Sequence, residues 1–174
     1  MTGPGSAEQW RKSLEGVTRS QFVTRHPHAF LVWAVGQTGD VTPVATQPSL
    51  SFHTQVHGGP SRPGGLAAGT GDEVLIIPLK KAPGNPFPDR ISVGRAPNCD
   101  IVFRDPSVSK LHGHFRDVTA DSAVFTDAKS ANGTRLNSAT VVSGEAIEVK
   151  SFSYLTLGRV RVQLLSSADV YDWL

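Results

Sequence analysis

Five short runs of β-branched and aromatic residues, at 73–80, 91–94, 100–103, 123–126 and 160–164, follow one another in the second half of the chain, separated by glycine, proline and Asn/Asp clusters. Many strands at such short spacing bury their side chains as a sandwich or a barrel. In the last run Val160, Val162 and Leu164 alternate with Arg161 and Gln163, the period-two signature of a strand with one wet face. The chain holds 17 glycines and 12 prolines in 174 residues, a share above the usual one that favours turns over long helices. The expected class is mainly β.

The first half reads differently. Ser6 with Gln9 fits a capping box, and Trp10, Leu14 and Val17 share one helical face. Thr18 with Gln21 repeats the pattern, Phe22 supplies an apolar anchor, and Pro27 stops a second short helix near Arg25 or His26. Residues 30–35 read as a buried strand, 36–40 as a turn and 41–46 as a returning partner, while 49–56 alternates only loosely. Six glycines and two prolines fall within 58–71, too permissive a composition for regular structure. The organisation expected is an N-terminal extension at 1–57, a linker at 58–71, a β-sandwich at 72–166, and a short helix at 167–174 that packs back through Val170, Trp173 and Leu174.

Charge excludes some functions. Seventeen Lys and Arg against fifteen Asp and Glu leave a net charge of +2, and the basic pairs Arg11-Lys12 and Lys80-Lys81 are too short for a nucleic-acid footprint. The longest apolar run, 30–35, is far below a membrane span. Cys99 stands alone, so neither an internal disulfide nor a multi-thiolate zinc site can form, and a small buried apolar role is expected for it. A cytoplasmic protein without membrane or nucleic-acid partners is expected. His26 with His28, or His112 with His114, would offer a metal two ligands without a third at persuasive spacing, so no metal or cofactor is expected.

Three local patterns carry the chemistry, in order: Gly94-Arg95, then Ser109-Lys110-Leu111-His112, then Ser130-Ala131-Asn132-Gly133-Thr134. An arginine at a strand end presents a planar fork of donors to two oxygens of an anion, and a serine hydroxyl beside a lysine adds a donor and a point charge. A phosphothreonine, with about −1.5 to −2 charge and three acceptor oxygens, matches that set if the two loops curl together. Asn132-Gly133 suits a tight turn that offers a carboxamide to an extended peptide's main chain. Read without the others, it would also serve as a plain hairpin turn.

The ordered set resembles the forkhead-associated (FHA) domain, a phosphothreonine-recognition module, from about residue 73 to 165. Asn98-Cys99-Asp100-Ile101, Asp127, Asn137 and Gly144-Glu145 support the likeness. The resemblance implies a sandwich of about eleven strands with its binding loops at one end, Arg95, Ser109 and Lys110 as phosphate ligands, and Asn132, with the backbone of Ala131, holding the ligand main chain. It implies structural roles for Gly94, His112, Ser130 and Gly133. Ser138 follows Asn137 where glycine is common in the family, which bears on that turn alone.

The function expected is a non-enzymatic adaptor for threonine-phosphorylated partners, substrates of a Ser/Thr kinase or the kinase itself. A phosphate-independent scaffold that uses its N-terminal segment as the interface is the alternative. A hydrolase would draw on Ser109 or Ser130, His112 or His114, and Asp127, but no Gly-x-Ser-x-Gly elbow surrounds either serine. Gly158-Arg159 is expected to open the last strand, and the scattered Trp10, Trp33 and Trp173 to anchor the core.

Overall fold

The computed structural model describes residues 3–34 and 74–174. The expected turn at 36–40, the strand at 41–46, the loose alternation at 49–56 and the linker at 58–71 lie outside the described residues.

Two capped helices open the chain. Ser6 accepts from the Gln9 amide and receives the Gln9 side chain on its own amide, which starts α1 (Ala7–Ser13); Thr18 and Gln21 do the same for α2 (Arg19–Arg25). Both boxes satisfy N–H groups that have no partner within the helix. Ahead of α1, β1 (Gly5–Ser6) pairs with β3 (Val74–Pro78), and β2 (Phe30–Ala34) follows α2. Then come β4 (Ile91–Gly94), β5 (Ile101–Val102), β6 (Gly113–Arg116), β7 (Ser122–Asp127), β8 (Thr134–Leu136), β9 (Ala139–Thr140), β10 (Ala146–Lys150), β11 (Tyr154–Leu157), β12 (Val160–Leu165) and α3 (Ser167–Trp173).

The strands form two sheets, seven-stranded β1-β3-β2-β12-β11-β8-β9 and five-stranded β10-β7-β6-β4-β5. They face each other over a core that includes Leu31, Ile77, Val93, Phe103, Phe115, Phe125, Leu155 and Val162. The three helices cover the outer face of the larger sheet around Trp10, Phe22, Phe30, Val32, Ile76, Leu165 and Val170. The molecule is therefore a mainly β sandwich with one helical layer. Among the described residues, no helix is long and apolar enough to cross a membrane.

Strand β2 explains why Phe30-Leu31-Val32-Trp33 shows no alternation. Leu31 points into the sandwich core while Phe30 and Val32 point into the helical layer, so both faces are dry. Its neighbours are β12 on one side and β3 on the other. The segment before the glycine-rich stretch thus contributes a central strand to the larger sheet. The same cover corrects the wet face expected for β12. Arg161 is exposed and stacks 3.9 Å over the Tyr154 ring, but Gln163 is buried, its Nε2 donating to the Phe152 carbonyl at 3.2 Å. Gly158-Arg159 does not open β12; it is the two-residue turn between β11 and β12, with φ +60° at the glycine. At the β8–β9 turn only Asn137 takes a positive φ, +55°, and its Oδ1 accepts from the Tyr154 amide, so Ser138 need not be glycine.

Candidate functional site

Gly94 ends β4, and a Cβ there would lie 2.2 Å from the Lys110 carbonyl oxygen. Only glycine lets the 109–110 backbone come this close. The approach is fixed by two bonds, from the Arg95 amide to the Ser109 carbonyl at 2.8 Å and from the Ala96 amide to the Lys110 carbonyl at 3.1 Å. The Arg95 side chain is exposed and its Nε donates to the Val108 carbonyl at 3.1 Å, which aims the guanidinium along the 105–109 loop. Lys110 is exposed, and among the described residues no carboxylate pairs with it.

His112 ties the second motif to the third. It is fully buried; its Nδ1 accepts from the Ser109 amide and its Nε2–H donates to the Gly133 carbonyl, both at 3.2 Å. Those two bonds require the neutral Nε2–H tautomer. Desolvation lowers the ring's pKa, more than the nearby Asp127 charge raises it, so the 3.8 Å approach of Asp127 Oδ2 is not an ion pair.

Asp127, at the end of β7, shapes the 128–133 loop. It accepts from the Ser130 amide at 3.0 Å and from the Ser130 and Thr134 hydroxyls at 2.6 Å each. Burial pushes this carboxyl up, but the bonds from Ser130, Thr134 and Ser143 outweigh it and leave the carboxyl below its ordinary range. Ala131 donates its amide to Ser109 Oγ at 2.9 Å, so a backbone contact from Ala131 to a peptide falls to its carbonyl. The Asn132 Nδ2 donates to the Ser107 carbonyl at 2.8 Å, leaving Oδ1 at the surface. Because β7 and β8 belong to different sheets, Asn132-Gly133 is not a hairpin turn but part of the crossing between layers.

The three motifs therefore meet at one end of the sandwich, with Arg95, Ser109, Lys110 and Asn132 on adjoining loops. The trio Ser109, His112 and Asp127 makes no proton relay. Both ring nitrogens of His112 bond backbone groups, and Ser130 donates straight to Asp127. Among the described residues, no three His, Cys, Asp or Glu side chains gather as a metal site. Cys99 is half-buried; burial raises its pKa and its Sγ–H donates to the Lys110 carbonyl.

The 105–107 part of this end was not singled out from the sequence. Ser107 bonds Asp105 through both its amide and its hydroxyl, and its Oγ accepts from the Arg159 amide at 2.9 Å. A Cβ on Gly158 would lie 2.4 Å from the Ser107 carbonyl. Pro106, Ser107, Asn132, Gly158 and Arg159 surround a hollow of about 400 Å³ beside Asn132. The signal was Asp105-Pro106-Ser107, an Asx-turn composition. Asp100, which the sequence marked only as supporting the likeness, has a buried carboxylate that accepts from Ser92, Asn85, Ala82 and Lys81 and so fixes the 81–92 segment.

Residues 91–158 match the family model of the FHA domain. The FHA domain-containing protein PS1 of Arabidopsis thaliana is 31% identical over 67 residues, which are 38% of this chain and 4% of that protein. This chain thus spans only a small part of the curated relative it matches. Among solved structures, the FHA domain of CT664 from Chlamydia trachomatis is 15% identical with a TM-score of 0.46, over 79% of this chain and 97% of that one. The N-terminal FHA domain of S. cerevisiae Rad53p, solved with a phosphothreonine peptide, is 18% identical with a TM-score of 0.43, over 52% of this chain and 83% of that one. With the ordered motifs gathered at one end of a two-sheet sandwich and the family model matched across them, this chain carries an FHA domain.

Proposed function

We propose that the chain is a phosphothreonine-peptide-binding module, with Arg95, Ser109 and Lys110 taking the phosphate and Asn132 the ligand main chain. The observation that carries this reading is the convergence of three loops distant in sequence, held by Arg95 N–H to Ser109 O and Ala131 N–H to Ser109 Oγ. With Ser109 Oγ accepting from Ala131, its own hydroxyl proton is free for a ligand, on loops that also carry the exposed side chains of Arg95 and Lys110. Two cations and a hydroxyl offer the charge and donors that a phosphate ester near −2 needs. Donors held by backbone bonds do not have to be reordered when the anion arrives. Such a module acts by docking, without turnover, on proteins that a Ser/Thr kinase has marked. The Rad53p domain solved with a phosphothreonine peptide supports this reading by family likeness.

Titration of the full chain with a phosphothreonine peptide and its unphosphorylated twin tests the proposal. Binding of the first alone is expected, weakening as salt rises and as pH falls below about 6, where the phosphate takes up a proton. Equal affinity for the two peptides would overturn it.

A further inference from the structure

Resting on that phosphopeptide reading, we propose that the cleft on the far side of the 95–96 and 109–110 segments is a second subsite, which takes an apolar side chain of the same phosphorylated partner. The cleft has a volume of about 590 Å³, and Pro83, Phe87, Pro97, Cys99, Lys110 and Leu111 are among its walls. This size falls within the range of sites that bind ligands.

Exposure is the first argument. Among the described residues four large hydrophobic side chains are exposed, and two of them, Phe87 at 54% and Leu111 at 51%, stand at this cleft. Lone exposed apolar residues are ordinary, but two on one concave surface form a patch. Rigidity is the second. The outer wall is held by Asn85, which donates to Ser92 and Asp100 and accepts from the Phe87 amide, and by Asp100, which accepts from the Ala82 amide. The Arg90 guanidinium lies 5.3 Å over the Phe87 ring and pairs with Asp89, so that charge is largely met within the wall. The buried network around Asp100 thus keeps an apolar wall open toward solvent.

Continuity names the occupant. Arg95 and Ser109, two phosphate ligands on the reading above, are each followed directly by a cleft-lining residue, Ala96 and Lys110. One ridge, bonded across by Ala96 N–H to Lys110 O, separates the two sites. An extended peptide advances about 3.3 Å per residue, so a side chain about two to four positions from the phosphothreonine reaches across. It lies on the flank opposite the one that Asn132 holds. Phe87, Leu111, Pro83 and Pro97 offer apolar surface there, so leucine, isoleucine, methionine or phenylalanine fits, with Lys110 at the edge shared with the phosphate site.

The test uses the full chain and three phosphothreonine peptides: one with Gly/Ser flanks, one with leucines at positions two to four before the phosphothreonine, and one with them after it. Calorimetry reads the affinities. Leucines on one flank alone are expected to tighten binding roughly fivefold or more over the Gly/Ser peptide. Leu111→Ser and, separately, Phe87→Ser should erase that gain while the Gly/Ser phosphopeptide binds as before. Both residues are exposed, so neither change removes core packing. If the Gly/Ser phosphopeptide binds but leucines help on neither flank, or help equally in both variants, the subsite is wrong and the phosphate reading stands. If no phosphopeptide binds better than its unphosphorylated twin, both fall. A leucine peptide that binds equally with or without phosphate, or self-association through the cleft, would also overturn the proposal.

Discussion

The loop end of the sandwich and its helical layer are assembled by opposite means. At the loop end the contacts that set geometry are polar: His112, Asp127 and Asp100 are buried side chains whose partners are largely backbone amides, carbonyls and hydroxyls of neighbouring loops. At the centre of the helical layer they are aromatic: Trp10 sits edge-on to Phe22 and Phe30 at 6.2 and 5.5 Å, and its side chain adds one hydrogen bond, from the indole Nε1 to the Ile76 carbonyl. Apolar burial is non-directional and stabilises in proportion to area, whereas a hydrogen bond fixes direction and loses its value with small displacements. A layer that only has to be stable can use the first; a rim that has to present donors to an anion needs the second.

Removing the centre of the helical layer should give the largest effect and touch stability alone. Trp10 is fully buried, and large aromatic to alanine changes in such sites cost about 3–5 kcal/mol. Trp10→Ala is expected to lower Tm by roughly 10 °C or more while the folded fraction binds phosphopeptide with unchanged affinity. A parallel loss of affinity at a temperature where the variant is folded would show that the layer helps to position the rim.

Asp127→Ala should cross the divide. It deletes three bonds to a carboxylate and leaves the buried Thr134 hydroxyl without its partner. A destabilisation of about 2–4 kcal/mol is expected, with a loss of phosphopeptide affinity, because the loop that carries Ala131 and Asn132 loses its anchor. Thermal melts and calorimetry on one sample read both. Lost stability with affinity intact would mean that Asp127 serves the fold and not the site.

Arg95→Ala should be the mirror image of Trp10→Ala. The side chain is exposed and bonds the protein through Nε to one carbonyl, so Tm should move little. Charged hydrogen bonds contribute about 1.5–3 kcal/mol each, so affinity for a phosphothreonine peptide should fall about ten- to a hundredfold. Lys110→Ala should give a smaller loss in the same direction, with a weaker salt dependence.

The same division governs what the sequence made legible. Capping boxes are written in four adjacent residues, and both were readable at Ser6 and Thr18. Arg95, Ser109 and Asn132 were legible because their types and order name a chemistry. The place of β2 was not, since its pairing with β12 joins Val32 to Gln163 across most of the chain, and no local pattern encodes a partner that distant. Burial on both faces leaves a continuous apolar run, which marked a buried strand at 30–35 but named neither of its neighbours. Gln163 was misread for the same reason: its polar type signals water, but the neighbours that bury it come from β2 and the Phe152 turn. Ser107 went unread and Gly158-Arg159 was taken for a strand start because their contact arises only where the β11–β12 turn meets the 105–109 loop.

Acid should give the smallest of these effects and sort the histidines between the two regions. Burial pushes His26 down to about 4, helped by the neighbouring charges of His28, Lys80 and Arg25. In the unfolded chain the same group titrates near 6.5, so between these values the unfolded state holds the extra proton. Stability is therefore lost as pH falls from about 6.5 toward 4, and the share due to His26 is about 1 kcal/mol at pH 5.5. His28, His112 and His114 are also held below their ordinary value by burial and add slopes of the same sign. His26 is packed among Trp10, Phe22, His28 and Phe30, where a phenylalanine ring of similar volume fits. His26→Phe should flatten the stability profile between pH 6.5 and 5 without changing phosphopeptide affinity at pH 7.5. His112→Phe should flatten it too, but with weakened binding, because the Ser109 amide and Gly133 carbonyl lose their common partner. Identical affinities in the two variants would mean that the neutral imidazole of His112 fills space and does not join the loops.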